Sequence, residues 1–116
     1  MRITDVLSVM PVADYEASVG WYERLFGRLA DNVPMPSCHE WQLTDSGWLQ
    51  VIDDAEHAGS SMLTMAVDDI EEEASALAAR SVAVVDVRDV NMALRLGTVV
   101  DPSGNAITLA QDMLDD

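Results

Sequence analysis

The feature that most constrains this chain is a loose internal repeat. The stretch Met10-Pro11-Val12-Ala13-Asp14-Tyr15-Glu16 is matched, at a constant offset, by Met65-Ala66-Val67-Asp68-Asp69-Ile70-Glu71. Each copy is the end of an apolar run, an Asp placed to cap a helix, and an acid for that helix's first turn. A chain that repeats its plan builds one supersecondary unit twice. At 116 residues there is material for one core and not for two independent ones, so both units are expected to share a single domain, 1–116.

The first unit is expected to open with a strand from Ile3 to Met10 and a helix capped by Asp14. Trp21, Tyr22, Leu25 and Phe26 recur there at helical spacing, and Gly27 stops the helix. In the second unit Met62 to Val67 is the strand and Asp69 the cap. Glu71, Glu72 and Glu73 load the positive helix end with acid, Arg80 falls in the last turn, and Ile70, Ala74, Leu77 and Ala78 form the apolar stripe. Three short strand candidates follow each helix, at 30–35, 38–45 and 47–53, then at 82–88, 93–100 and 105–110. Asp45-Ser46-Gly47 and Asp101-Pro102-Ser103-Gly104-Asn105 supply turn chemistry between strands, through residues that fix φ or accept positive φ.

The expected class is therefore α+β, with two βαβββ modules at 1–53 and 62–112 joined by a linker at 54–61. One helix covers one face of each four-stranded unit, so the other face needs a partner. Side-by-side packing, within a chain or by exchange in a dimer, would give a curved eight-stranded mixed sheet, a cup with its helices outside.

Charge narrows the partners. Twenty-one acids face six bases, for a formal charge of −15. Such a surface repels nucleic-acid phosphate and anionic membranes and attracts cations; it also serves plain solubility. The 49% hydrophobic content argues against disorder, and no apolar run approaches the ~20 residues of a bilayer span. Met1-Arg2-Ile3-Thr4-Asp5 lacks the features of a signal peptide, so a cytoplasmic location is expected. The lone Cys38 excludes an internal disulfide and a cysteine metal cluster within one chain.

The order and spacing of these phrases resemble the vicinal-oxygen-chelate superfamily, the glyoxalase, bleomycin-resistance and extradiol-dioxygenase group. The phrase Pro11 to Ser18 with Trp21-Tyr22 and Leu25-Phe26-Gly27 looks like its first strand–helix unit, Val67-Asp68-Asp69-Ile70 like its second, and Gly97 to Gln111 like its closing hairpin. The resemblance implies a divalent metal held by His, Gln or Glu from the first and last strands of each module. Carried over, those slots hold Leu7, Gln50, Met62 and Thr108. Leu7 offers no donor, Met62 a soft thioether and Thr108 a weak hydroxyl, so only Gln50 suits such an ion. The expectation is no metal and no other cofactor.

No phosphate-cradling glycine loop or nucleophile–base spacing supplies another chemistry. The carboxylate pairs Asp53-Asp54, Asp68-Asp69 and Asp115-Asp116 read as caps, solvated groups or tail. Strand alternation points Trp48 and Ile52 to the side of Gln50. Trp41 is expected to face Trp48 across the turn, with Leu43 and His39 beside it. His57 falls in the linker. Arg95 is expected either at the cavity edge, facing a ligand anion, or in a surface ion pair. The ligand-binding set is thus Trp41, Trp48, Gln50, His39, Arg95, Met62 and Thr108.

The leading expectation is a metal-free homodimer that binds a small molecule, aromatic or cationic, similar to the bleomycin-resistance branch and so a candidate for antibiotic resistance. Two alternatives remain open: an enzyme of the same fold (lyase, isomerase or dioxygenase) with a displaced ligand set drawn from His39, Gln50 and acids across a dimer, or a degenerate accessory or oligomerisation domain.

Overall fold

The computed structural model describes residues 1–114; the Asp115-Asp116 pair lies outside the described residues. The chain runs β1 (Val6–Val12), α1 (Tyr15–Phe26), β2 (Asn32–Met35), β3 (Cys38–Gln42), β4 (Gly47–Asp53), then β5 (Met62–Ala66), α2 (Ile70–Ala79), β6 (Val85–Asp89), β7 (Leu94–Val100) and β8 (Ala106–Asp112). The α+β class and both βαβββ modules are thus present.

Local chemistry explains the helix limits. Asp14 accepts the Ala17 N–H at 3.2 Å, and Asp69 accepts the Glu72 N–H at 3.2 Å, each supplying an acceptor to a backbone donor the helix leaves free. Gly27 ends α1 in the left-handed region at φ 68°, with its N–H returned to the Glu23 carbonyl. Arg80 closes α2 through its backbone N–H, but its side chain serves the other helix: the guanidinium donates to the Arg24 and Leu25 carbonyls at the end of α1, at 2.5 and 3.1 Å. Along α2, Ile70 and Leu77 are buried but Ala78 is exposed, so the stripe is narrower than its periodicity suggests.

The strands form two separate four-stranded mixed sheets, ordered β1-β4-β3-β2 and β5-β8-β7-β6. Within one chain they do not join into an eight-stranded sheet. In each, the first strand runs parallel to the last, and the remaining pairs are antiparallel. One core unites Met10, Val12, Tyr22, Leu25, Trp41, Leu49 and Val51 of the first module with Ile70, Leu77, Val99, Ile107 and Leu109 of the second. These are the helix-facing positions of both sheets, so the sheets share a helix-side core and turn their other faces away from it. Among the described residues no helix is long and apolar enough to cross a membrane.

A buried polar knot fastens the modules. The Asp101 carboxylate accepts the Tyr22 hydroxyl at 2.8 Å, the Asn105 side-chain amide at 2.8 Å, and the backbone N–H groups of Ser103 and Asn105. Asn105 also donates to the Pro11 carbonyl and accepts from the Gly59 and Ser61 N–H groups, so β1, the linker and the β7–β8 turn meet on one side chain. The Tyr22 hydroxyl is pushed well above its usual pKa, first by burial and then by the charge and hydrogen bond of Asp101.

Candidate functional site

The candidate site is the face of the first sheet turned away from its helix. Register and alternation define it. Val9 lies opposite Gln50 and Leu7 opposite Trp48, while Glu40 lies opposite Gln50 and Gln42 opposite Trp48. Leu49 and Val51 are fully buried against the core, so Trp48, Gln50 and Ile52 point the other way. The open face is therefore Leu7, Val9, Trp48, Gln50, Ile52, Cys38, Glu40 and Gln42. Leu7 and Val9 stay about two-fifths exposed, at 41% and 42%, and give it an apolar floor.

Its polar groups are organised around Glu40, a residue only 8% exposed. The Asn32 amide donates to Glu40 Oε1 at 2.9 Å and the Gln50 amide to Oε2 at 2.5 Å. The half-buried Trp48 indole N–H donates to the Asp5 carboxylate at 2.8 Å. Cys38, two residues before Glu40, is buried; burial pushes its thiol pKa up, and the Glu40 charge adds to the effect. A thiol so placed is a small apolar filler rather than a nucleophile.

The structure brings together only part of the set expected from sequence. Trp48 and Gln50 share the open face of the first sheet; Met62 and Thr108 share the corresponding face of the second, where Met62 is 86% exposed and Thr64 pairs with Thr108. Trp41 does not face Trp48. Its register partner is Leu49, it is fully buried, and its ring packs on Tyr22 and Phe26 of α1. His39 follows Trp41 to the helix side, where Nδ1 meets the Tyr15 hydroxyl at 2.6 Å. Burial first, then the charges of Cys38 and Asp53, raise the Tyr15 pKa.

Arg95 has the same strand parity as buried Gly97 and Val99, which places it on the helix side. It pairs with Asp89 at 2.7 Å and Glu71 at 3.4 Å, and its hydrogen bond holds the Asp89 carboxyl below the usual range. That is the surface ion pair, not the cavity edge. His57 bonds Asp54 in the linker at 2.8 Å and lowers that carboxyl's pKa. Glu40 was missed by the sequence reading. Its signal, an acid midway along a strand opposite an amide, is visible only once the β3–β4 register is known.

The residues do not fit the metal that the fold implies. Leu7 and Gln50 stand on one sheet, Met62 and Thr108 on the other, and neither pair offers a His or carboxylate. His39 and Gln50 lie on opposite faces, so the displaced ligand set does not assemble within a chain. Among the described residues no three His, Cys, Asp or Glu side chains converge. Apart from that face, a groove of about 590 Å³ runs along the seam between modules, lined by Val6, Phe26, Leu43, Met65, Leu77 and Arg80. It is an open, largely apolar seam, and Trp48 is among the residues that line it.

Residues 3–109 match the family model for the Glyoxalase/Bleomycin resistance protein/Dioxygenase superfamily. No curated protein matches the chain. Among solved structures, a glyoxalase/bleomycin resistance protein from Catenulispora acidiphila is 27% identical with a TM-score of 0.87, over 92% of this chain and 96% of that one. An antibiotic-binding protein, TnmS3 from Streptomyces sp. CB03234, is 25% identical with a TM-score of 0.74, over 97% and 96%. A bleomycin resistance determinant encoded on transposon TN5 shares the fold at 17% identity and a TM-score of 0.77, over 95% and 98%.

Proposed function

This chain belongs to the glyoxalase/bleomycin resistance protein/dioxygenase superfamily, and on that premise we propose that it is a metal-independent protein that binds and sequesters a small aromatic molecule. The open face of the first sheet is the binding surface. Trp48 stacks on the ligand, Leu7, Val9 and Ile52 give it an apolar floor, and Gln50 orients it by hydrogen bonding. The observation that carries this reading is the pairing of a half-buried indole and an exposed apolar floor with family metal positions of which only Gln50 keeps a suitable donor. The similarity to an antibiotic-binding protein agrees with it.

A second copy of the chain completes the cleft. Each open face is a four-stranded sheet with exposed apolar side chains: Leu7 and Val9 on one, Met62 and Val100 on the other. Because both sheets already spend their helix sides on a common core, the open faces of one chain cannot close on each other. A homodimer that opposes the first sheet of one copy to the second sheet of its partner covers both, and brings Met62 and Thr108 into the same cleft as Trp48 and Gln50. Trp41, His39 and Arg95 have no part in it.

The test is equilibrium dialysis of metal-free protein, with chelator present, against a panel of flat aromatic compounds that includes acridine. Trp48→Ala is expected to weaken binding by about tenfold or more, the loss of one buried aromatic contact. Equal affinity in wild type and Trp48→Ala would overturn the site, and binding that appears only on adding a divalent metal would overturn metal independence.

A further inference from the structure

Resting on the binding reading above and deepening it, we infer that Glu40 is a specificity residue that selects ligands carrying a cationic nitrogen, a protonated amine or an amidinium, beside the aromatic body. The argument starts from an imbalance. Glu40 is 8% exposed as a residue, and an acid on so buried a residue is normally paired with a cation. Glu40 has none. Its two partners are neutral amides, and the ion pairs among the described residues leave it out. Four of the six arginines are committed elsewhere, Arg28 to Asp31, Arg88 to Asp86, Arg95 to Asp89 and Arg80 to the end of α1, and neither Arg2 nor Arg24 forms an ion pair with Glu40.

The amides do a second thing. By turning their nitrogens to Glu40, Asn32 and Gln50 fix the carboxylate in place and leave their own oxygens without a donor among the described residues. Asp5 adds a further carboxylate at the Trp48 indole N–H. The face thus offers acceptors in excess of donors around an electron-rich indole, a combination that favours N–H donors with positive charge. Trp48 sits two residues along β4 from Gln50, hence diagonal to Glu40 across the β3–β4 pair, so one ligand can stack on the indole and reach the carboxylate. A pre-positioned, partly desolvated carboxylate distinguishes a cation from its neutral isostere far better than the diffuse surface charge does.

The test uses two probes of nearly one shape: 9-aminoacridine, protonated at neutral pH, and acridine, neutral there. Equilibrium dialysis at physiological salt compares wild type, Glu40→Gln and Glu56→Gln, the last removing one charge from an exposed linker acid. The expected result is that wild type prefers 9-aminoacridine by about tenfold or more, that Glu40→Gln loses this preference while still binding acridine, and that Glu56→Gln keeps it. Retained acridine binding certifies that Glu40→Gln is folded; should that variant not fold, Glu40→Asp with the wild-type preference measured across salt decides instead. Equal affinity of wild type for the two probes, or equal effects of Glu40→Gln and Glu56→Gln, overturns the inference. If both probes bind and only Trp48→Ala matters, this inference alone falls; if wild type binds neither, the binding reading falls with it.

Discussion

Replacing Asn105 with Ala should unfasten the two modules. The Asn105 side chain is fully buried and makes four hydrogen bonds: its oxygen accepts the Gly59 and Ser61 N–H groups at 3.0 Å each, and its nitrogen donates to the Pro11 carbonyl and to Asp101, both at 2.8 Å. Alanine strands two backbone donors and the Pro11 carbonyl, and strips one of four donors from a buried carboxylate. Each abandoned buried partner costs about 1–3 kcal/mol, with Gly59 and Ser61 at the low end because water reaches them, giving about 3–5 kcal/mol in all. Against a total stability of about 5–15 kcal/mol this is severe. At about 4 °C per kcal/mol for a domain of this size, the midpoint should fall by roughly 12–20 °C.

Urea titration at fixed temperature measures the loss directly, with Ser103→Ala as control, since it removes a single exposed bond to the Ala13 N–H. Tyr22→Phe shares the Asp101 carboxylate, so the double variant with Asn105→Ala should fall short of the summed losses. A loss below about 1 kcal/mol for Asn105→Ala would refute the reasoning, because a surface substitution costs that little.

Three further outcomes follow from the same structure. Tyr22 keeps its proton in the folded state, while in the unfolded chain it ionises near the ordinary value of 10.0; its contribution is complete below that pH and is lost as pH rises beyond it. The gap between the urea midpoints of wild type and Tyr22→Phe should therefore be constant below about pH 9 and narrow steadily as pH rises past about 10, and a gap that stays constant above about pH 10 would contradict the buried hydroxyl. Cys38 should react with a disulfide reagent at neutral pH at least ~100-fold more slowly in folded than in urea-unfolded protein, since its thiol is buried and its pKa raised. Equal rates would place it at the surface. Gly59→Ala should destabilise by more than about 2 kcal/mol, because at φ 95° its Cβ would come within 2.5 Å of the Ser103 carbonyl oxygen; thermal melting checks this.

Much of the fold is legible because its cues are local. Asp14, Asp69 and Gly27 act within one turn of where they stand, so helix limits follow from them directly. The alternation of Trp48, Gln50 and Ile52 against Leu49 and Val51 is likewise internal to one strand. The face of Trp41 is different, because it depends on how β3 registers against β4. The connection from Gln42 to Gly47 has Leu43 and Thr44 both donating to the Gly47 carbonyl, which sets Gln42 opposite Trp48. Moving the pairing by one residue puts every side chain of β3 on the other face, and neither Trp41 nor His39 carries a mark that says which. Glu40 escaped for the same reason, since its meaning lies in Gln50 and Asn32 and not in its neighbours along the chain. Arg95 could have been placed: Gly97 and Val99, at alternating positions beyond it, belong to the buried side.

The separation of the two sheets lies further from local cues. Each module's apolar pattern marks a helix-facing side, but which helix-facing sides share a core is settled by long-range contacts such as Tyr22 to Asp101 and Arg80 to Leu25.

The most direct test of the central claim is an NMR titration of isotope-labelled protein with acridine in the presence of a chelator, following side-chain N–H signals. Binding on the open face should move the Trp48 indole and Gln50 amide signals together and leave the Trp41 indole, buried and bonded to the Arg28 carbonyl, in place. Shifts confined to Trp41 and His39, or shifts that appear only once a divalent metal is added, would contradict a metal-independent site on that face.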